Sequence, residues 1–249
     1  DPSMIQNHDL SKLRVIGSTG EPWNPDPWLW LFTTVCKEKI PIINYSGGTE
    51  ISGGILGNTL LKAITPITFN TPLLGMDADV FDSEGKPTVN EVGELVIKQP
   101  WVGMTRGFWK ENERYEKAYW NRWEHIWVHG DWVIKDQDGY WTITGRSDDT
   151  LNIAGKRVGP AEYESILVKH PTVIESATIG VPHPVKGETA VCFAVINGTP
   201  SESLRQELID SVALYMGKAL KPETVHFVPV LPKTRNGKVM RRVIKSAYL

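Results

Sequence analysis

Cysteine is scarce: two in 249 residues, Cys36 and Cys192. That excludes a disulfide framework, and their apolar neighbours mark both as reduced, buried small hydrophobes. No apolar run approaches the roughly 20 residues a membrane-spanning helix needs. The opening DPSMIQNHDL lacks the basic-then-apolar order of a secretory signal, so the cytoplasm is the default compartment. No charge of one sign dominates, with 27 basic against 29 acidic residues and a net charge of −2. This argues against a nucleic-acid partner and against a disordered acidic arm. Repeats and low-complexity tracts are absent too. What is present is an ordinary globular composition, 41% hydrophobic and 22% charged, with ten tryptophans, several in strand-like segments where large rings fit packing surfaces.

The chain changes texture twice. A strand at 12–16, an amphipathic helix near 27–37 carrying Trp28, Leu31, Phe32 and Val35, and a strand at 40–45 read as a βαβ unit. Small-residue loops, Gly17–Gly20 and Ser46–Glu50, then fall at the carboxyl edge of the sheet, where open α/β sheets bind ligands. From 66 to 147, alternating segments at 78–81, 94–97, 127–134 and 140–144, punctuated by turns, predict an antiparallel β subdomain. From 148 to 249 the pattern predicts a separate α+β domain. Its helix is opened by Gly159-Pro160 and ends at His170, strands follow at 174–181 and 190–196, and a capping box at Thr199–Glu202 leads a helix with Leu204, Leu208, Val212 and Tyr215 on one face. A last strand is read at 224–230. The fold class is thus α/β and α+β: a partial βαβ sheet (1–65) and an antiparallel subdomain (66–147), then a small domain (148–249).

Two segments concentrate chemistry. GRSDDTLNIAGKRVGPAEYE, Gly145 to Glu164, packs arginines, paired aspartates and a glycine-flanked basic pair at the boundary between the two textures, where interdomain motion is easiest. PKTRNGKVMRR, Pro232 to Arg242, sets Lys238 on a pliable glycine turn. An ammonium on a flexible stem suits transient neutralisation of phosphate and carboxylate oxygens.

With GEP at Gly20–Pro22, YSGGTE at Tyr45–Glu50 and HGD at His129–Asp131, these segments resemble the AMP-forming acyl-CoA synthetase family, which includes luciferases and peptide-synthetase adenylation domains. The likeness runs along essentially the whole chain, with five motifs in order, and is nearest the acetyl- and short- to medium-chain branch. It implies two half-reactions. A carboxylic acid attacks ATP to give acyl-adenylate and pyrophosphate, and CoA then displaces AMP after the small domain swings about a hinge. The resemblance implies that Gly20, Glu21 and Pro22 line the adenine pocket, and that Asn44, Tyr45, Ser46, Gly47, Gly48 and Thr49 wall the adenine and phosphate region, Thr49 on the α-phosphate. It implies Glu50 as a Mg2+ contact, a hard oxygen ligand. Asp131 is expected on both ribose hydroxyls with Arg146 beside it, Arg157 near the phosphate, Asp148 at the hinge and Lys238 as the adenylation lysine. Ala154 and Gly155 are expected to flank the CoA tunnel.

Two departures stand out. The family's triphosphate loop, rich in Ser, Thr and Gly and carrying a Lys, has no counterpart here, since neither small-residue loop is followed by Lys. The chain is therefore read as a carboxyl-terminal fragment, its partner the missing amino-terminal part, and is expected not to adenylate alone. Gly47 also stands where acetate-specific relatives carry Trp in the acyl pocket. An indole removed would leave room for methylenes worth about 0.8 kcal/mol each, so an acid longer or more branched than acetate is expected.

Other readings remain open at this point. One is an adenylation domain that loads a carrier protein, and another is a non-catalytic adenylate-binding module. Lys238 is also readable as part of a solvated charge run. His125 and His129 sit four apart, but strand-like alternation would hold them about 13 Å apart, too far for one ion. Val168, His170 and Val173 match a spot where some synthetases hold a cation.

Overall fold

The computed structural model describes residues 3–249 and separates into two compact units, 1–143 and 144–249. The sequence expectation put the joint at 148. No helix among the described residues is long and apolar enough to cross a membrane.

Unit 1 begins with a one-turn helix α1 (Ser3–Gln6) and then β1 (Ile16–Ser18), α2 (Pro25–Trp30) and β2 (Ile42–Gly48). β1 and β2 pair in parallel, Ile16 opposite Ile42 and Ser18 opposite Asn44, which is the expected βαβ unit. Boundaries differ from the sequence reading. β1 starts where 12–16 was expected to end. The helix divides as well: Pro25 opens α2 at its first turn, where a missing N–H costs nothing, and Leu31–Val35 continues as a π-helix. Cys36 N–H donates to Leu31 C=O, 3.0 Å. That wider turn carries Cys36, fully buried, into the core with Trp28 and Ile42, while the Phe32 ring stacks on Trp28 at 5.3 Å between centroids.

β2 does not stop at Tyr45. It runs on through Ser46-Gly47-Gly48 and folds back through 49–52 into β3 (Gly53–Gly57), with β4 (Thr71–Pro72) beyond. Gly47 faces Gly54 and Gly48 faces Gly53, after a register shift between Ser46 and Gly47. The glycines are what permit this approach, because a Cβ on Gly47 would collide with the Gly53 carbonyl oxygen and come within 2.8 Å of Gly54 Cα. The segment read as a loop is a glycine-on-glycine hairpin.

The second sheet has the order β5 (Ala78–Phe81), β6 (Val92–Ile97), β7 (Trp127–Lys135), β8 (Trp141–Arg146), antiparallel as expected across its first two pairings. Helix α3 (Asn112–Tyr119), unforeseen, packs Tyr115 and Tyr119 against Trp127, with the Tyr119 ring stacked 4.1 Å from it. β7 starts only at Trp127. His125 lies in a turn with φ 59°, so the alternation read from Trp123 to His129 is not one strand.

Unit 2 carries the end of β8, then β9 (Leu151–Ile153), β10 (Lys156–Val158), α4 (Pro160–Leu167), β11 (Val173–His183), β12 (Gly187–Ile196), α5 (Glu202–Met216), β13 (Thr224–Phe227) and α6 (Arg241–Tyr248). The sheet order is β10-β9-β12-β11, with β13 parallel to β12. Strand periodicity divides β12 between two cores. Ala190, Cys192 and Ala194 face α4 and α5, while Val191 and Phe193 face Ile244 of α6 and Leu231. A strand covered on both faces reads as an unbroken apolar run. Several end points move. α4 closes at Leu167. The cap of α5 is Ser201 rather than Thr199, its hydroxyl accepting from Leu204 N–H at 3.1 Å. Tyr215 is exposed, beneath the Lys169 ammonium, and is not part of the packed face. β13 stops before Pro229, which has no N–H for a ladder. Helix α6 was not foreseen. All ten tryptophans precede residue 142, so unit 2 contains none.

Candidate functional site

In unit 1 the residues expected at a nucleotide gather on two devices. The first is the β2–β3 hairpin. Tyr45 and Thr49 are exposed, while Ser46, Gly47, Gly48 and Glu50 are half-buried. The turn is closed by Ile51 and Ser52 N–H donating to Gly48 C=O at 3.2 and 3.1 Å, and the Glu50 carbonyl accepts from Thr105 N–H at 2.8 Å. Asn44 behaves differently from its neighbours. It is buried, its N–H donates to Asn58 Oδ1 (2.7 Å) and its Nδ2 to Thr68 C=O (3.1 Å). Its side chain thus braces the strand.

The second device is a bulge in β7. Glu94 of β6 pairs with Trp132 and Val96 with Val128, so three residues, His129-Gly130-Asp131, stand opposite Leu95 alone. Gly130 takes φ 84°, the left-handed region glycine enters without penalty. His129 and Asp131 are both buried, with Nε2 3.7 Å from Oδ2. The hairpin and the bulge meet here, since a Cβ on Gly48 would come within 2.8 Å of His129 Cε1. A side chain at 48 would require the imidazole beside it to shift. The Gly20–Pro22 loop lies exposed after β1, with Gly20 at φ 112°, and Trp23 Nε1–H bonds back to the Ser18 hydroxyl.

In unit 2 the charged residues of the two long motifs are tied to each other. Arg146 holds Asp148 through Nε (2.9 Å) and an η nitrogen (3.3 Å), and Arg242 of α6 reaches the same carboxylate at 2.9 Å. Burial opposes ionisation of Asp148, but the Arg146 bond and charge and the Arg242 charge outweigh it and hold the carboxyl below its ordinary range. The neighbouring Arg241 clamps Glu164 of α4 with two bonds, 2.9 and 2.6 Å. Glu164 also accepts Thr178 N–H from the edge strand β11 at 2.8 Å. Glu164, Arg241 and Arg242 were not singled out in the sequence, although all three lie inside the motifs quoted.

Two hairpin tips carry the remaining expected residues. Ala154 and Gly155 join β9 to β10 with φ of 51° and 79°, the geometry of a two-residue hairpin turn that needs positive φ at both positions. A Cβ on Gly155 would meet nothing within 4 Å, so within this unit the turn conformation is the visible reason for glycine. Arg157 follows on β10, exposed. Lys238 stands exposed at the end of a turn in which Thr234 N–H donates to Lys238 C=O (2.8 Å) and Gly237, at φ 84°, donates to Thr234 C=O (2.9 Å).

At the third place, His170 Nδ1 bonds the Thr172 hydroxyl (2.8 Å), Nε2 faces Glu207 (3.2 Å), and its carbonyl accepts from Val173 N–H (2.9 Å). Both ring nitrogens and the carbonyl oxygen of His170 are thus engaged by protein groups. At Gly47 the direction a Cβ would take is occupied by the Gly53 carbonyl oxygen of β3.

Residues 2–109 match the AMP-binding enzyme family and residues 162–238 match the AMP-binding enzyme C-terminal domain. The chain is 42% identical over 247 residues to an acetyl-coenzyme A synthetase of Pyrobaculum aerophilum, covering 97% of this chain and 37% of that protein. It is 40% identical over 250 residues to the Rubrobacter xylanophilus acetyl-coenzyme A synthetase, covering 98% and 39%. Among solved structures it is similar to acetoacetyl-CoA synthetase from Streptomyces lividans, with TM-score 0.83, 28% identity, and 97% and 37% covered. It is also similar to ATP-bound MatB from Rhodopseudomonas palustris, with TM-score 0.79, 26% identity, and 95% and 45% covered. The chain therefore spans well under half the length of the relatives it matches. The two matched segments together show that the chain belongs to the AMP-binding enzyme family, and the relatives it is similar to are named acetyl-coenzyme A synthetases.

Proposed function

We propose that this chain forms the adenylate-binding edge and the mobile domain of an ATP-dependent acid–thiol ligase. The ligase joins a short- to medium-chain carboxylic acid to CoA through an acyl-adenylate, releasing pyrophosphate and then AMP. The observation that carries the reading is the meeting of Gly48, His129 and Asp131 in unit 1, followed in chain order by a unit with Lys238 exposed on a turn tip. A buried carboxylate with two acceptor oxygens suits the paired hydroxyls of a ribose. An unencumbered ammonium suits the charge developing as carboxylate attacks phosphate.

In this reading Gly20–Pro22 and Tyr45–Thr49 flank the nucleotide, with Arg146 and Arg157 on ribose and phosphate. Asp148 is the hinge, and Ala154-Gly155 border the CoA path. Glu50 fits Mg2+ by its chemistry: one hard carboxylate oxygen suits an ion held mainly by substrate phosphates and water, and no cluster of three or more His, Cys, Asp or Glu among the described residues offers a protein cage. Lacking a Lys-bearing phosphate loop, the chain relies on the length of its relatives that it does not span, and alone should not adenylate. The test is acid-dependent ATP–pyrophosphate exchange by the full-length protein across a panel of acids, then CoA-dependent AMP release. Exchange should vanish on Lys238→Ala. Absence of acid-dependent exchange with every acid would overturn the reading.

A further inference from the structure

We infer that His129 is a positioning residue that fixes the rotamer of the Asp131 carboxylate for the ribose; this rests on the reading of Asp131 given above. The argument begins with the bulge. Trp127, His129 and Asp131 occur at alternate positions of β7, and the left-handed Gly130 bends the strand so that the last two side chains touch. Trp127 Nε1 lies 3.5 Å from His129 Nδ1, with both groups buried. An indole N–H can only donate, so Nδ1 is the acceptor and the neutral ring carries its hydrogen on Nε2. That nitrogen faces Asp131 Oδ2 at 3.7 Å. The indole therefore selects the tautomer, and the tautomer turns an N–H dipole toward one carboxylate oxygen.

The other side of the ring is fixed as well. The imidazole Cε1 lies so near Gly48 that even a Cβ there would sit 2.8 Å from it, which places the ring between the hairpin and the indole. A carboxylate that must accept from two vicinal hydroxyls at once has one productive plane. The last torsion of a carboxylate is intrinsically broad, so its neighbours decide which plane it keeps. His129 contributes to that restraint from the strand's own side chains, and its effect should be confined to recognition of the ribose.

The experiment measures calorimetric affinity of the full-length protein for AMP and for 2′,3′-dideoxy-AMP. His129→Leu should weaken AMP about tenfold, the scale of one lost hydrogen bond to a charged group, and dideoxy-AMP less than twofold. His129→Asn keeps an acceptor for the indole but cannot reach Asp131, and should reproduce the loss even if the leucine variant folds poorly. His129→Gln can place an N–H near the Nε2 position and should recover most of the AMP affinity. Equal weakening of both ligands by Leu and Asn, or unchanged AMP affinity, overturns the inference. Asp131→Ala separates the two levels. If Asp131→Ala weakens AMP and dideoxy-AMP equally, the ribose reading falls and takes this inference with it. If it weakens AMP selectively and the His129 variants do not, only the role of His129 falls.

Discussion

Arg241→Met removes the guanidinium from the Glu164 clamp and leaves an apolar stem in its place. The two side chains are 16% and 13% exposed, so solvent screens the pair little, and Glu164 remains largely buried after the change. Breaking one side of a buried pair costs about 3–5 kcal/mol. Thr178 N–H still donates to the carboxylate, which places the expected loss near the lower end, about 3 kcal/mol. The two units can be read separately because each has one fully buried thiol, Cys36 in the first and Cys192 in the second, and burial pushes the Cys192 thiol up to about 12. Neither should react with a thiol reagent until its own unit opens. At tenfold per 1.4 kcal/mol, labelling at Cys192 should accelerate roughly a hundredfold, assigned by peptide mass. Cys36 labelling and the urea transition seen by tryptophan emission, confined to residues before 142, should not move. Adding Glu164→Gln keeps an acceptor for Thr178 without a stranded charge and should restore more than half. An acceleration under threefold, or one shared equally by Cys36, would refute the reasoning.

In unit 1, Arg122→Ala removes the guanidinium 2.6 Å from Glu94, which is 1% exposed, and should cost about 3 kcal/mol in the tryptophan-monitored transition. His226 has its proton affinity lowered by burial and then by Arg205, from an ordinary 6.5. The unfolded chain therefore binds the proton first, and stability of unit 2 should fall as pH drops below about 6.5, a slope His226→Phe should remove. Asp148 is shifted the opposite way relative to its charge, being held ionised below its ordinary 3.8. Its contribution is present above that value and is lost as pH falls through the lower folded value. Arg242→Ala should raise the carboxyl titration measured by NMR, and no change there would show that Arg242 does not contribute.

The element order was legible because periodicity survives context: β5 was read to the residue, and β6, β7, β11 and β12 to within a few positions. Other features depend on partners far along the chain. The two extra residues at His129–Asp131 make a bulge only against Leu95, and glycines 47 and 48 form strand rather than loop only because glycines 53 and 54 lie opposite. α3 and α6 escaped notice because their apolar faces are short, Tyr115 with Tyr119 in one and Ile244 with Tyr248 in the other. The cap of α5 was misplaced because threonine and serine offer the same hydroxyl two residues apart, and only the helix start chooses between them. At the site, the motifs named exposed residues such as Lys238 and Arg157 as well as the buried Asn44 and Asp131. Their supports Glu164, Arg241 and Arg242, although inside the same motifs, become visible only when their carboxylates and guanidiniums are seen to pair.

The tight crossing of β2 over β3 also restricts how this protein can change. A larger residue at position 47 demands that the Gly53–Gly54 backbone retreat, and one at 48 demands that the imidazole retreat. A bulkier residue therefore needs a compensating shift in a different strand at each position, β3 for 47 and β7 for 48, so two adjacent glycines couple three strands at one corner of the unit.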